Sequence, residues 1–252
     1  MAGHSKWKQI KRAKGVTDAK RGQLFTKLTR EIISCVKEGG RDPAGNFRLR
    51  LAIEKARASN MPVDNIDRAV KRASGEGGAA VEYIEVAYEG FTPGGAAIIC
   101  QALTDNKTRT VSEVRSVFSK SAGKMADAGS VGFMFESKGV LSFEVDSRTA
   151  DELALAAIDL GADDVKIEEG LVDVYMRPEQ LEKLRKLLEG KGFKSQSAEL
   201  DLVPKSLVPL TAAQAEQALR LMDKLEELDD VTKVYTNADF PAEALEKFRS
   251  AA

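Results

Sequence analysis

The chain has 252 residues, 43% of them hydrophobic and 31% charged, a composition that supports more than one buried core and excludes a disordered polypeptide. No run approaches the roughly 18 consecutive apolar residues of a membrane span, and the opening MAGHSKWKQIKRAK lacks the apolar stretch of a secretory signal. A cytoplasmic protein with no membrane partner is expected.

The net charge of −1 conceals an asymmetry: residues 1–75 hold 18 basic and 7 acidic side chains, for +11, which leaves −12 on the rest. Such a division is the mark of a polyanion partner. Cys35 and Cys100 sit in apolar patterns and read as reduced, buried thiols. A single histidine, His4, excludes a multi-histidine metal centre and leaves a Ser-His-Asp triad without a well-placed base, so no catalytic residue, metal or cofactor is expected.

Residues 1–22 interleave Lys6, Lys8, Lys11, Arg12, Lys14, Lys20 and Arg21 with Trp7, the one tryptophan of the chain. With too few apolar residues to build a core and with Gly3, Gly15 and Gly22 loosening the backbone, the segment reads as an arm. Cations neutralise phosphates and an indole stacks on a base, so the arm suits nucleic acid.

From Leu24 the pattern turns helical, through Leu28, Ile32 and Cys35 or Val36 to Gly39-Gly40. Asp42-Pro43 predicts the start of a second helix burying Leu49, Ala52, Ile53 and Ala56 and stopping near Asn60. A third begins around Pro62 and carries Ile66, Ala69, Val70 and Ala73. The opposite faces of these helices offer Lys27, Arg30, Arg48, Arg50, Lys55, Arg57, Arg68, Lys71 and Arg72. Residues seven apart stack on a helix, so Arg48 with Lys55 and Arg50 with Arg57 form two basic rows on the second helix. The third helix shows no paired amides of the kind that read base edges, which favours phosphate contact over sequence readout.

After a glycine-rich linker, EYIEVAYEGF and AAIICQALT read as a hairpin turned by Thr92-Pro93-Gly94-Gly95; without a following helix or a P-loop Lys, its glycines serve the turn rather than a phosphate. A helix follows from about Thr108 to Ser121, with Val111, Val114, Val117 and Phe118 inward and Lys107, Arg109, Arg115, Lys120 and Lys124 outward. Residues 138–203 then spell strand, helix, strand, strand, helix, strand, the ferredoxin-like β-α-β-β-α-β order. Beyond Pro204 and Pro209 come a helix from Leu210 to Leu228 and a strand DVTKVYTN, which has no sheet of its own nearby. Pairing that strand with the earlier hairpin makes the middle domain discontinuous and the ferredoxin-like unit an insertion.

The expected fold class is therefore α+β and multidomain: an N-terminal three-helix domain, a discontinuous α/β domain and an inserted ferredoxin-like domain. The boundaries are a basic arm over 1–22, a bundle over 23–77, the discontinuous domain over 78–131 plus 205–240, and the insert over 132–204. The carboxylate pairs Asp163-Asp164, Glu168-Glu169 and Asp229-Asp230 read as solvated ends rather than a catalytic or metal site. Asp229 and Asp230 sit unfavourably against a helix C-terminus, and the sequence offers Lys224 or a partner as compensation.

The segments MAGHSKW, DAKRGQLFTKLTREI, GGRDPAGNFRLRLAIEKA, NMPVDNIDRAVKRASG, YEGFTPGGAAII, TDNKTRTVSEVR and VYTNAD together resemble the YebC-type family over nearly the whole chain. Members are described as transcriptional regulatory proteins, and the mitochondrial translational activator of cytochrome c oxidase is similar to them. The resemblance implies three domains, a bacterial cytosolic setting and no catalysis. It implies nucleic acid as partner, either DNA in transcription regulation or ribosomal or transfer RNA on the ribosome, where the protein would relieve stalling. A third reading is a protein–protein adaptor that docks through the ferredoxin-like domain with the basic helices incidental, and a protein partner suits the acidic domains. Arg12-Ala13 stands where relatives commonly have His-Arg, and Phe47 where they often have Pro.

Overall fold

The computed structural model describes residues 18–75, 82–168 and 170–250. They belong to two compact units, one made by the chain up to Phe135 together with Pro204 onward, the other by Glu136–Val203.

In the first unit, α1 (Asp18–Gly39), α2 (Phe47–Ala58) and α3 (Val63–Ala73) form the bundle. Leu28, Ile32, Cys35 and Val36 of α1 meet Leu49, Ala52 and Ala56 of α2, and Met61, Ile66 and Ala69 complete the core. Helix α1 begins before Leu24 because Arg21 to Gln23 are exposed and carry no apolar periodicity to announce it. Helix α2 does not begin at Asp42-Pro43. Asp42 closes a tight turn, accepting from the Ala44 amide at 2.9 Å, and the N-cap is Asn46. The buried Asn46 side chain accepts from Leu49 N at 3.0 Å and donates to the Cys35 and Gly40 carbonyls at 2.7 and 2.8 Å, so one amide group closes the start of α2 and the end of α1.

The α/β part of the same unit is a four-stranded sheet. Strands β1 (Ile84–Phe91) and β2 (Ala97–Thr104) pair antiparallel, with Tyr88 opposite Cys100, around a turn in which Gly94 and Gly95 have φ of 99° and 84°. After α4 (Lys107–Lys120), β3 (Lys124–Ala126) adds to the outside of β1. On the other side, β9 (Val231–Thr236) pairs antiparallel with β2, which makes this domain discontinuous, with strand order β3-β1-β2-β9. Ile98, Cys100, Ala102 and Val234 pack under α4 and α7 (Ala212–Glu226) through Val114, Phe118, Leu219 and Met222. Thr211 and Gln214 form a capping box on α7. Several short elements escape sequence reading: β3, the parallel pair β8 (Val208–Pro209) with β10 (Ala238–Asp239), and a last helix, α8 (Ala242–Ser250), which buries Ala244 and Leu245.

The second unit contains most of β4 (Phe135–Glu144), then α5 (Ser147–Asp159), β5 (Asp164–Glu168), β6 (Leu171–Met176), α6 (Leu181–Gly190) and most of β7 (Ser197–Pro204). The order β5-β6-β4-β7 is that of a ferredoxin-like sheet. Leu141 and Phe143 lie opposite Val174 and Val172, all fully buried on the face that α5 and α6 cover with Leu153, Ala157, Leu184 and Leu188. No helix among the described residues is long and apolar enough to cross a membrane.

Candidate nucleic-acid interface

Lys6, Trp7, Lys8, Lys11, Arg12 and Lys14, and the side chain of Lys20, lie outside the described residues. The ten remaining candidates are divided by their surroundings, and the divide does not follow the rows that spacing suggests.

Lys27 and Arg30 of α1 face the α/β domain. The Lys27 ammonium donates to the Glu226 carbonyl at the end of α7, where the helix dipole favours a cation. Arg30 donates to Asp230 Oδ1 at 2.8 Å and to the Asp229 carbonyl at 2.6 Å, and its guanidinium lies 5.7 Å from the centroid of the Tyr83 ring. Asp230 is the hub: its Oδ2 also accepts from Arg109 Nη2 at 2.7 Å and from the hydroxyls of Thr104 and Thr110 at 3.0 and 2.6 Å. Burial alone would push this carboxyl up, but hydrogen bonds from Thr110, Arg109 and Thr104 and the charge of Arg30 outweigh it and hold the carboxyl below its ordinary value. The compensation for Asp230 thus comes from Arg30 and Arg109 and not from Lys224, Lys27 caps the end of α7, and Arg109 is turned inward at its tip.

The Arg48–Lys55 row is likewise taken up by carboxylates, although Arg48 is exposed and Lys55 half-buried. Arg48 bridges Glu38 and Glu85, the latter at 2.6 Å, and Lys55 pairs with Glu31 at 2.8 Å. Spacing of seven places the two cations on one side of α2, but that side meets the acidic flank of α1. Arg50 donates to the Pro43 carbonyl at 3.0 Å and lies over the Phe47 ring.

The remaining cations face water without a carboxylate beside Arg57, Lys71 or Arg72 among the described residues. Arg68, Lys71 and Arg72 share one face of α3, all exposed, with Arg68 reaching Asn65 and the Asp64 carbonyl. Arg57 is exposed on the last turn of α2, and Arg21 on the first turns of α1. Among the described residues Arg57, Lys71 and Arg72 have no ion pair. All three sit in last turns, where a cation complements the negative helix end even without a ligand.

The other chemistries are not assembled. Among the described residues there is no group of three or more His, Cys, Asp or Glu able to hold a metal. Burial pushes the Cys35 thiol up to about 12 and the Cys100 thiol up as well, so neither is a nucleophile at neutral pH. A carboxylate that sequence reading passed over, Glu89, accepts from the amides of Gly129, Val131 and Gly132 at 2.9, 2.6 and 3.0 Å and pins that loop to β1.

The fold and its surface define a multidomain α+β protein with an N-terminal helical bundle whose third helix exposes cations. Residues 5–76 match the family model described as the TACO1/YebC protein N-terminal domain, and residues 83–238 match the one described as the TACO1/YebC second and third domain. The chain belongs to the TACO1/YebC family. A probable transcriptional regulatory protein of Dehalococcoides mccartyi is 53% identical over 253 residues, covering 100% of both chains. One of Trichlorobacter lovleyi is 50% identical over 247 residues, covering 98% of this chain and 99% of its own. The crystal structure of a conserved hypothetical protein from Aquifex aeolicus, 42% identical, superposes with a TM-score of 0.81 over 89% of this chain and 92% of that one. The names of these curated relatives are those of regulators, not of enzymes.

Proposed function

We propose that the protein is a non-enzymatic, nucleic-acid-binding regulator of gene expression that binds DNA through the arm and the outer face of α3. The carrying observation is the exposed set Arg68, Lys71 and Arg72 on one helix face, with Arg57 nearby in sequence and the cationic segment leading into α1. Phosphates reward such cations whatever the base sequence. The relatives' names as transcriptional regulatory proteins support DNA as the polymer.

One observation favours the second reading, a translation factor contacting ribosomal or transfer RNA. The one amide on α3, Asn65, is half-buried and accepts from Arg68, so no amide pair is presented to a major groove. Contacts limited to phosphates suit shape-driven RNA recognition equally well.

The test is a salt titration of binding to duplex DNA and to structured RNA. Neutralising about six phosphates gives a slope of log affinity on log salt near −5 on a duplex. Replacing Arg57, Lys71 and Arg72 together by Ala should weaken binding and flatten that slope by up to about 2.7, while these exposed positions change stability by no more than about 0.5 kcal/mol each. An unchanged slope removes the α3 face from the interface. Cross-linking in cells, with both polymers sequenced, separates the readings: enrichment of promoter DNA without ribosomal or transfer RNA overturns the second.

A further inference from the structure

Strand β3 covers only part of the edge of β1. Its ladder pairs Lys124 with Phe91, Met125 with Gly90 and Ala126 with Glu89. There it stops, because the chain turns at Asp127, whose carbonyl accepts from Ser130 N at 3.2 Å. By the same register Ala87 would face Ala128, but the two are not paired. Main-chain groups alternate in direction along a strand. Thr92 donates to the Ala96 carbonyl at 2.8 Å, so Gly90, Tyr88 and Val86 also turn toward β2, and Ala87 turns its N–H and C=O the other way. Among the described residues neither group has a partner, which leaves a short stretch of open edge.

A cavity of about 370 Å³ opens at this break in the ladder. Ala87 and Tyr88 border it from β1, and Met125 and Ala128 from β3 and the turn after it. Two charged side chains join them, Arg115 of α4 and Asp127. Both are exposed, and among the described residues neither has an ion pair, with the other or with any third group. Glu89 borders the cavity too, but its carboxylate is taken up by the amides of Gly129, Val131 and Gly132.

Charge and size together select the ligand. The volume lies near the lower end of the roughly 300–1,000 Å³ of small-molecule sites. A simple anion held by Arg115 would meet the Asp127 carboxylate, and a simple cation held by Asp127 would meet the guanidinium. A molecule that carries both charges on one carbon atom meets neither penalty. Its carboxylate can accept from Arg115 while its ammonium donates to Asp127. The outward N–H and C=O of Ala87 offer a donor to the one and an acceptor to the other, as the next residue of β3 would have used them. Tyr88 and Met125, packed in part on the core, supply an apolar wall for a side chain. We propose that this break in the β1 edge binds a free α-amino acid, with Arg115 and Asp127 holding its two charges and Ala87 fixing its position along the strand.

Both charged side chains are exposed, so the affinity is modest, with a dissociation constant near about 0.1–1 mM. The site is made of residues other than the cations of α3, and a test of it needs no nucleic acid.

The experiment is a titration of the isotope-labelled full chain with L-leucine, and then with the other protein amino acids, followed by amide NMR. The signals of Ala87, Met125, Ala126 and Ala128 should move together and saturate. N-acetyl-leucine keeps only the carboxylate and leucine methyl ester only the ammonium, so each should bind about five- to tenfold more weakly than leucine. Two variants separate the charges. Asp127→Asn should weaken leucine by about the same factor and leave N-acetyl-leucine no weaker, and Arg115→Gln should weaken leucine and leave the methyl ester no weaker. Both positions are exposed, and an unchanged remainder of the amide spectrum shows that each variant is folded. A wild type in which no amino acid moves those signals at about 10 mM overturns the proposal. So do derivatives that bind as tightly as leucine, or folded variants that leave its affinity unchanged.

Discussion

Asp230→Asn tests whether the bundle is held on the α/β domain by the hub of the Arg30, Arg109, Thr104 and Thr110 contacts. The carboxylate is only 3% exposed, and Arg30 donates at 2.8 Å, Arg109 at 2.7 Å, Thr110 at 2.6 Å and Thr104 at 3.0 Å. An asparagine keeps the shape but offers one acceptor oxygen, and its amide hydrogens must face a guanidinium or a hydroxyl that now needs another acceptor. Losing a charge-assisted bond costs about 1.5–3 kcal/mol when buried. Arg30 is 17% exposed and Arg109 41%, so water recovers part of the loss, most of it at Arg109. The expected destabilisation is about 3 kcal/mol, a fall in melting temperature of about 6–12 °C for a unit of this size. Calorimetry reads the shift, and hydrogen exchange should show α1 losing protection. Because the folded carboxyl titrates below its ordinary value, the native state binds fewer protons than the unfolded chain in the acid range. The stabilisation is therefore fully present above about pH 5 and is lost as pH falls through the ordinary value of about 3.9 toward the folded one. The gap between wild type and Asp230→Asn should stay level from pH 5 to about pH 8 and narrow in acid. A shift below about 1 °C at neutral pH, or a gap that widens in acid, refutes the reasoning.

Two glycines of one helix should respond in opposite directions. Nothing stands within 4 Å of a Cβ at Gly22, so Gly22→Ala should stabilise α1 by about 0.5–1 kcal/mol, whereas a Cβ at Gly39 would lie 2.6 Å from Asn46 Nδ2 and displace the shared cap, so Gly39→Ala should lower the melting temperature. Glu89→Gln should cost about 1–2 kcal/mol and raise amide exchange at Gly129, Val131 and Gly132, since a neutral amide cannot replace a carboxylate accepting all three N–H groups.

Local signals carry the parts of the fold that local physics decides. Gly161 and Gly170 have φ of 95° and 83°, conformations that side chains resist, and they punctuate the β-α-β-β order at the places where the chain reverses. The pairing of β9 with β2 follows from the cost of an unpartnered strand. At the start of α2 two signals overlap: Asp42-Pro43 has the composition of a helix start, yet Asn46 wins because its side chain also closes the end of α1, a gain that depends on tertiary contact. The proline that relatives often have at position 47 would stand at the first residue of the helix, where its missing N–H costs nothing. Helix α8 carried a readable start in Pro241, followed by Ala244, Leu245 and Phe248, but it is short and lies close to the chain end.

The candidate site was less legible, because a cation's sequence neighbours do not reveal its partner. Arg30 and Arg109 reach Asp230 across separations of 200 and 121 residues, so no window of sequence could show that this carboxylate is compensated. Spacing identified which cations stack, not what they face, and Arg48 and Lys55 face Glu38, Glu85 and Glu31. The excess of +11 in residues 1–75 therefore overstates what α1 and α2 present to a polyanion. A phosphate arriving at Lys27, Arg30, Arg48 or Lys55 would have to displace a carboxylate or carbonyl already at hydrogen-bond distance, gaining one ion contact for the loss of another. At Arg57, Lys71 and Arg72 it displaces only water, although the carbonyl ends of α2 and α3 oppose it by about 0.3–1 kcal/mol. The net gain there is real but modest, so a tight complex requires many cations acting together, and the arm is the part of the chain with the density of them to provide it.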